Sequence, residues 1–376
     1  LEALPDAVTK SIFLAGPTPR SVEVASWRPA ALALLAARGY DGVVFVPEPR
    51  YQRWSRSYVD QVDWELDALA SADCVVFWIP RDLDELPGFT TNVEFGYWAR
   101  SGKCILGAPP DAPKLRYLDA LATRLGIPRV HTLEAAVNRA IATLGDGAPR
   151  QGGECQVPLE IFTSRPFQRW YGAQRGAGNV LEGARVEWVL RVVERRFLLY
   201  WALHVQVRVA AEDRVKRNEV VLARPDTSQV VLYHRDPADP ARTTLALIRE
   251  FRSAAATRDG FVHEHAGGSS FEADDDDPRA LAVAEVAEEV GLRLDAARLR
   301  PLGVRQLAPT MSAHRAHAFA VELDAAELAA LRADAGTVHG ADGGERTTVE
   351  LWTLAELYAD DRVDWSTLGM ALAALR

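Results

Sequence analysis

Between Ser11 and Leu144, short apolar runs alternate with longer segments of helical pattern. The runs "SIFLA", "GVVFVP", "CVVFWIP" and "CILGAP" are too continuous for a sheet with one solvated face, so we expect strands buried on both faces. Such strands, separated by helices, are typical of a parallel sheet with helices on both sides. The pattern therefore predicts an α/β doubly wound parallel sheet for an N-terminal domain, residues 1–145.

This fold class predicts where a ligand binds. In an open parallel sheet, ligands lie beyond the carboxyl ends of the strands. The segments "AGPTPR", "PEPRYQRW" and "PRDLDELPGFTT" each follow a predicted strand, so we expect the three loops to line one pocket. The Gly16-Pro17 turn should present free N–H groups to an anion, and a plain turn without a ligand is the alternative.

The pattern changes after residue 145. Residues 146–158 are rich in Gly, Pro and polar residues, which predicts a linker. Beyond the linker, alternating runs such as "FLLYWALHVQVRV" and "QVVLYHR" predict strands, and "DPRALAVAEVAEEVG" predicts a helix. Residues 159–376 are therefore expected to form an α+β domain, and the 48% apolar content of the 376-residue chain suffices for two cores.

Composition narrows the classes of partner. The 43 basic and 52 acidic residues give a net charge of -9, which argues against nucleic acid or an anionic membrane as a partner and favours a small molecule. Three separated cysteines without a CxxC pair fit a reducing compartment. No apolar run approaches the roughly 20 residues that span a bilayer, and the first residues lack a signal-peptide pattern. We therefore expect a cytoplasmic protein without a membrane partner.

The segment "TTNVEFGYW" places one carboxylate, Glu94, at the start of a predicted helix. Asn92 is a suitable N-cap, which would place Glu94 in the first turn, where the helix dipole favours an ionised carboxylate. A purely structural first-turn acid would have the same position. Position alone therefore leaves a catalytic and a structural interpretation open.

The segments "IFLAGP", "WRPAALALL", "QVDWELDALASADCVVFWIP" and "TTNVEFGYWARSG" together resemble the nucleoside 2-deoxyribosyltransferase family, especially its like-2 branch, over nearly all of residues 11–145. The resemblance implies that Glu94 is the nucleophile that attacks the anomeric carbon of an N-nucleoside, and that Glu65 contacts the nucleobase. A carboxylate suits this chemistry because it stabilises an oxocarbenium-like state and can trap it covalently. Water then gives hydrolysis, and a second base gives transfer. The expected substrate contacts are Gly16, Pro17 and Asn92.

One position departs from that family, which commonly has an aspartate six residues before the nucleophile, where this chain has Gly88. Another acid must then protonate the leaving base, and the nearby candidates are Asp82, Asp84 and Glu85. Aromatic side chains that either stack on the base or fill the core are Trp64, Trp78 and Trp98.

A second constellation lies near the end of the chain. Asp277 and Pro278 predict the start of a helix, and Gly291 predicts its end. Glu285, Glu288 and Glu289 then share one helical face. Clustered like charges destabilise a helix unless a cation neutralises them, which predicts Mg2+ or Mn2+, although a solvated acidic face is the alternative.

The segment "AEVAEEVGL" resembles the second half of the Nudix hydrolase box. This implies a Nudix fold for the second domain, with Glu285, Glu288, Glu289 and the carbonyl of Gly268 as metal ligands, and with Glu289 as a catalytic residue. The family reaction is attack of water on a diphosphate, assisted by the metal. Ala284 replaces the box arginine that orients the first helix glutamate, and Asp276 stands where a glutamate is expected.

The run "LIREFR" followed by "EHAGG" resembles the branch of ADP-ribose and nucleotide-sugar pyrophosphatases. This implies that Arg249 and Arg252 bind the substrate diphosphate, for which guanidinium groups are well shaped. Salt bridges at a strand end are the alternative. Candidate bases in the later loops are His314, His339 and Glu345.

Together these patterns predict a bifunctional nucleotide-processing enzyme, with metal-dependent diphosphate hydrolysis in one domain and N-glycosidic bond cleavage or transfer in the other. The alternative is a nucleotide sensor in which one or both sites have lost catalysis. A third reading keeps only the second domain catalytic and makes the first a platform for specificity or dimerisation. Relatives of the first domain build sites across subunits, so a homodimer is a further expectation.

Overall fold

The computed structural model describes residues 2–49, 57–192, 197–269, 277–340 and 346–376. The chain divides into two compact units, Leu1–Leu222 and Ala223–Arg376. The predicted linker, residues 146–158, lies inside the first unit and not at this division. No helix in the described ranges is both long and apolar enough to cross a membrane.

The first unit contains the predicted parallel sheet. Its strand order is β3-β2-β4-β5-β6, and every neighbouring pair is parallel. The strands are β2 (Ser11–Ala15), β3 (Val43–Phe45), β4 (Cys74–Trp78), β5 (Cys104–Gly107) and β6 (Arg129–Val130), and a short strand β1 (Ala7–Val8) precedes them. The helices between and after them are α1 (Arg28–Ala37), α2 (Tyr58–Ser71), α3 (Phe89–Trp98), α4 (Arg116–Arg124) and α5 (Leu133–Leu144). The predicted strands and the parallel arrangement are therefore confirmed.

Helices cover both faces of this sheet. On one face, Phe77 of β4 packs edge-on against Phe95 of α3, with ring centroids 5.2 Å apart. On the other face, Leu14 of β2 packs with Ala31 of α1 and Val137 of α5. The chain leaves β2 toward β3 on one side and reaches β4 on the other, so a crevice opens at the carboxyl ends of β2 and β4.

A buried ion pair holds the predicted linker against the sheet. Strand β7 (Arg150–Gln151) pairs with β1, and the Arg150 guanidinium donates to the Asp73 carboxylate at 2.8 and 2.5 Å. Asp73 also accepts the N–H groups of Leu159 at 2.7 Å and Ser11 at 2.8 Å. Gly147 and Gly152, part of the composition that predicted a linker, have φ values of 75° and 54°, a conformation that favours glycine.

The remainder of the first unit is a small helical segment followed by a sheet. Helices α6 (Leu159–Phe162) and α7 (Arg165–Gly176) precede three long strands in the order β10-β9-β8, with β8 and β9 antiparallel. These strands are β8 (Val180–Val192), β9 (Phe197–Val209) and β10 (Arg214–Ala223). Strand β9 was predicted as part of the second domain, but the structure assigns it to the first unit, together with β8 and residues 214–222 of β10.

The second unit is a mixed sheet between helices. The strand order is β15-β16-β11-β12-β18-β17, with β13 beside β12 and β14 beside β11. Strands β11 and β16 are parallel, and the other described pairs are antiparallel. The strands are β11 (Thr227–His234), β12 (Thr244–Phe251), β13 (Phe261–Glu264), β14 (Ala266–Gly268), β15 (Arg300–Gln306), β16 (Arg315–Glu322), β17 (Val338–His339) and β18 (Thr347–Thr353).

The helices of this unit are α8 (Pro278–Glu289), α9 (Ala325–Ala333), α10 (Leu354–Ala359) and α11 (Trp365–Ala374). Asp277 caps α8 by accepting the N–H of Arg279 at 2.9 Å, as the sequence predicted. Ala282 and Val286 of α8 pack on one face of the sheet, whereas α10 and α11 contribute to a separate core around Val231 and Leu245 of the other face.

Candidate functional site

A cavity of about 540 Å³ opens at the crevice of the first unit. Residues from the loops after β2, β3 and β4 line it, which confirms the expectation that these loops share one pocket. Residues 50–56 of the second loop lie outside the described ranges. The lining includes Gly16, Pro17, Thr18, Arg20, Arg28, Pro47, Tyr58, Gln61, Glu65, Gly88, Phe89, Glu94, Tyr97 and Trp98.

Helix α3 begins earlier than the sequence predicted. Its N-cap is Gly88, with φ 65° and ψ 41°, a left-handed conformation that glycine adopts without strain. Asn92 is therefore not the N-cap; it lies inside the helix, and its side-chain oxygen accepts from Arg81 at 2.5 Å. Glu94 is consequently in the second turn, and the expectation of a first-turn acid stabilised by the helix dipole is wrong.

The environment of Glu94 disfavours its charge. Burial, and then the neighbouring Glu65 carboxylate, raise the pKa of Glu94 to about 7, while Arg28 acts in the opposite direction. Burial also raises the pKa of Glu65, against a hydrogen bond from Gln61 Nε2 at 2.9 Å and the charge of Arg28. Two predicted catalytic acids thus lie in one cavity, coupled to each other and to one arginine.

That arginine was missed by the sequence analysis. Arg28 is 1% exposed and lies at the start of α1. Its guanidinium donates to Leu14 O at 3.1 Å, to Gly16 O at 2.7 Å and to Thr18 Oγ1 at 3.1 Å, and it forms an ion pair with Glu48. The available signal was the motif "WRP", an arginine beside a proline at a helix start that follows the first strand.

The predicted aromatic residues differ in position. Trp98 lines the cavity, but Trp78 is 6% exposed in the core, and Trp64 donates to Glu2 O at 2.8 Å outside the lining. The sequence analysis missed Tyr58, Phe89 and Tyr97, which line the cavity with 76%, 70% and 73% of their surface exposed.

The three acids that could replace an aspartate at Gly88 lie elsewhere. Asp82 accepts the N–H groups of Asp84 and Glu85, both at 2.9 Å, and so stabilises a turn. Among the residues that line the cavity in the described structure, neither these three acids nor any other acid apart from Glu65 and Glu94 is present. Among the described residues, the side of the cavity at Gly88 therefore carries no carboxylate.

In the second unit, two of the three helix glutamates meet strand β14. Glu289 is 5% exposed, and its carboxylate accepts the N–H of Gly267 at 2.8 Å. The Glu285 carboxylate lies directly against Gly268, where a Cβ would come within 2.2 Å of Oε1. Burial, and then Glu285 and Glu250, raise the pKa of Glu289 to about 8. Glu288 is exposed on the same helix.

Both arginines proposed for a diphosphate are engaged in ion pairs. Arg252 contacts Glu250 at 2.9 Å and Glu264 at 3.1 Å. Arg249 stacks on the Phe261 ring, 3.5 Å from its centroid, and lies 3.8 Å from the carboxylate of Glu350. The salt-bridge alternative therefore describes their contacts in the structure.

The remaining candidates in the second unit are dispersed. His339 contacts Asp334 at 2.7 Å, and the ring of His314 lies 2.6 Å from Ser312 Oγ. Asp276 and Glu345 lie outside the described residues. Within the described ranges, no group of three or more His, Cys, Asp or Glu side chains is arranged to hold a metal ion.

Comparison with known proteins gives a family match that lies within the first unit. Residues 9–112 match the family described as nucleoside 2-deoxyribosyltransferase like. The matched segment contains Arg28, Glu65 and Glu94. No curated protein matches the chain.

Proposed function

We propose that the first unit cleaves the N-glycosidic bond of a nucleoside or nucleoside monophosphate. The observation that carries the proposal is the convergence of Glu94 and Glu65 in one cavity at the carboxyl edge of the sheet. The match of residues 9–112 to a nucleoside-processing family supports it.

In the proposed reaction, a carboxylate oxygen of Glu94 attacks the anomeric carbon as the bond to the base nitrogen breaks. The departing base takes the bonding electron pair and a proton, for which Glu65 is the acid within the cavity. Water then hydrolyses the glycosyl ester, or a second base displaces Glu94. The exposed rings of Tyr58, Phe89 and Tyr97 provide apolar surface for the planar base.

The pKa values predict how this activity depends on pH. Attack requires ionised Glu94, whose pKa is about 7, so the rate should rise as pH increases through this value. Proton donation requires protonated Glu65, whose pKa is also raised by burial, so ionisation of Glu65 should lower the rate. A bell-shaped profile of kcat/KM is the expected outcome.

The test is product analysis by mass-detected chromatography with a panel of nucleosides and nucleoside monophosphates. Free base should appear with the wild type and not with Glu94→Gln. Glu134→Gln is a matched control because its carboxylate is 59% exposed and pairs with Arg38 at the surface. Equal release by Glu94→Gln and the control would refute the assignment.

For the second unit, we propose Nudix-type hydrolysis of a nucleoside diphosphate derivative of the ADP-ribose or nucleotide-sugar type. The supporting observation is the approach of Glu285 and Glu289 to the Gly267-Gly268 backbone. Carboxylate and carbonyl oxygens suit Mg2+ or Mn2+, and a cation would offset the repulsion between the two carboxylates.

Two of the three helix glutamates, Glu285 and Glu289, are placed to bind such an ion. The third, Glu288, is exposed, and Ala284 offers no charge to orient Glu285. Glu285, Glu289 and the carbonyl of Gly268 would hold the ion, which supplies charge neutralisation at the diphosphate when bound. Isothermal titration with Mn2+ tests this, with Glu289→Gln expected to weaken binding and the exposed Glu322→Gln as control. Equal Mn2+ affinity in all three proteins would refute the ligand set.

If both sites act, the nucleoside monophosphate released by the second unit is a suitable substrate for the first. This order is motivated by the presence of both units in one chain. It fails if the first unit ignores every monophosphate that the second produces.

The sensor alternative is favoured by Gly88, Ala284 and the raised pKa values of Glu94 and Glu289. Binding of ADP-ribose without consumption, in either Mg2+ or Mn2+, would support it.

A further inference from the structure

Arg28 connects strand β2, the loop after β2 and the segment after β3. Its side chain bonds to the carbonyl at the end of β2, to the loop from Gly16 to Thr18, and to Glu48 beyond β3. These partners approach the guanidinium along its different N–H directions, which a lysine ammonium cannot reproduce. The Gly16–Thr18 loop that lines the cavity is therefore held by Arg28, together with the Trp27 indole, which donates to Pro17 O at 3.2 Å.

The same side chain is a buried charge beside an excess of negative charge. Glu48 pairs with it directly, and both Glu65 and Glu94 interact with its charge. The other arginine in the described lining, Arg20, is exposed and donates to the Asp84 carbonyl at 3.1 Å. The carboxylates of Glu48, Glu65 and Glu94 thus all interact electrostatically with the buried guanidinium of Arg28.

We propose that Arg28 is a positioning residue, whose fork fixes the Gly16–Thr18 loop and whose charge is shared between Glu48 and the carboxylates of Glu65 and Glu94. The inference rests on the proposed function of this cavity. It follows that Glu48 controls how strongly the positive charge of Arg28 acts on Glu94. Glu48 itself is not among the described residues that line the cavity.

The titratable and charged groups around Glu94 come from several elements. Glu65 and Tyr58 belong to α2, Tyr97 belongs to α3 itself, Arg28 belongs to α1, and Arg20 belongs to the loop after β2. Of these, Glu65 and Arg28 act on the ionisation of Glu94, in opposite directions. A substitution that removes the charge of Arg28 and one that removes the charge of Glu48 should therefore shift the pKa of Glu94 in opposite directions.

The experiment measures the titration of Glu94 directly, in the full chain labelled with 13C at the glutamate carboxyl carbon. Glu94→Gln identifies its resonance. Arg28→Met removes the charge and should raise the Glu94 midpoint by about one unit or more, the size of effect of a neighbouring opposite charge. Arg28→Lys keeps the charge and should leave the midpoint near the wild type. Glu48→Gln leaves Arg28 without its competing anion and should lower the midpoint.

The opposite directions of the two midpoint shifts distinguish the proposal from structural damage. Damage would shift the Glu94 midpoint in the same direction in Arg28→Met and in Glu48→Gln. A common direction, or no change in either variant, would overturn the charge role. Hydrogen exchange tests the fork: the amides of Gly16 and Thr18 should exchange faster in Arg28→Lys, whereas Pro17 has no amide hydrogen. Unchanged exchange at both amides would overturn that role. If Arg28→Met does not fold, an unchanged midpoint in Glu48→Gln overturns the proposal on its own.

The titration needs no substrate, so it is separate from the proposed function. If the wild type releases no base from any nucleoside but the midpoints shift as expected, the catalytic proposal fails and the electrostatic role of Arg28 stands. If base is released but the midpoints do not shift, the inference about Arg28 fails alone.

Discussion

Replacing Asp73 by Asn should destabilise the first unit strongly, because it removes the anion from the buried pair with Arg150. Both side chains are 0% exposed. The Asp73 carboxylate accepts from Arg150, Leu159 N, Ser11 N and Ser11 Oγ, whereas an asparagine offers only one accepting oxygen. The substitution therefore leaves a buried guanidinium without its countercharge and leaves at least one N–H or O–H donor without an acceptor.

The expected cost follows from that geometry. Breaking a buried ion pair by removing one partner costs about 3–5 kcal/mol, which is a large share of the roughly 5–15 kcal/mol that stabilises an ordinary domain. The exposed pair of Arg38 and Glu134 is a matched control, for which Glu134→Gln should cost less than about 1 kcal/mol. Substituting Asp73 and Arg150 together should cost less than the sum of the single changes.

Because the chain contains two units, global unfolding need not be two-state, and hydrogen exchange resolved by peptide is the suitable assay. Amides of residues 150–159 should lose protection in Asp73→Asn together with those of β2 and β4, whereas the second unit should be unaffected. A loss of protection confined to residues 146–158 would show that this segment is a dispensable linker. That result, or a cost below about 1 kcal/mol, would refute the reasoning.

Three further outcomes are expected. Glu65→Gln should slow base release by roughly 10²–10⁴-fold, the usual contribution of a general acid. It should also move the acid limb of the kcat/KM profile to lower pH, because Glu65 raises the pKa of Glu94. An unchanged pH profile would contradict this. His265 is buried and its pKa is lowered from 6.5 to about 4, so its contribution to unfolding free energy is complete above pH 6.5 and is lost as pH falls toward 4, in total roughly 3 kcal/mol. His265→Asn should reduce that loss in urea titrations at several pH values, with the exposed His131→Asn as control. Gly88→Asp should cost about 1 kcal/mol because Gly88 has φ 65°, although its Cβ meets no atom closer than 3.5 Å; no change in urea midpoint would contradict the strain.

Local sequence patterns determined where many strands and helices of this protein form. Continuous apolar runs specify strands buried on both faces, and the strands from Ser11 to Gly107 formed where those runs occur. Asp277 and Pro278 started α8 because a cap and a first-turn proline act on neighbouring residues only. The order of strands and helices predicted that the loops after β2, β3 and β4 share one pocket, and that pocket contains Glu94 together with Glu65, which the family resemblance had placed in the site.

Other features depended on residues far apart in the chain, and the tertiary structure alone decided them. The segment 146–158 has the composition of a linker, yet Arg150 reaches Asp73, 77 positions away, and becomes part of the first unit. Glu94 was expected to be ionised by its helix, but burial and Glu65 from another helix raise its pKa to about 7. Arg249 and Arg252 have the shape for a phosphate, but strands β12, β13 and β18 place carboxylates beside them. Composition and spacing specify which groups a chain carries, whereas burial and charge partners depend on which distant segments the fold brings together.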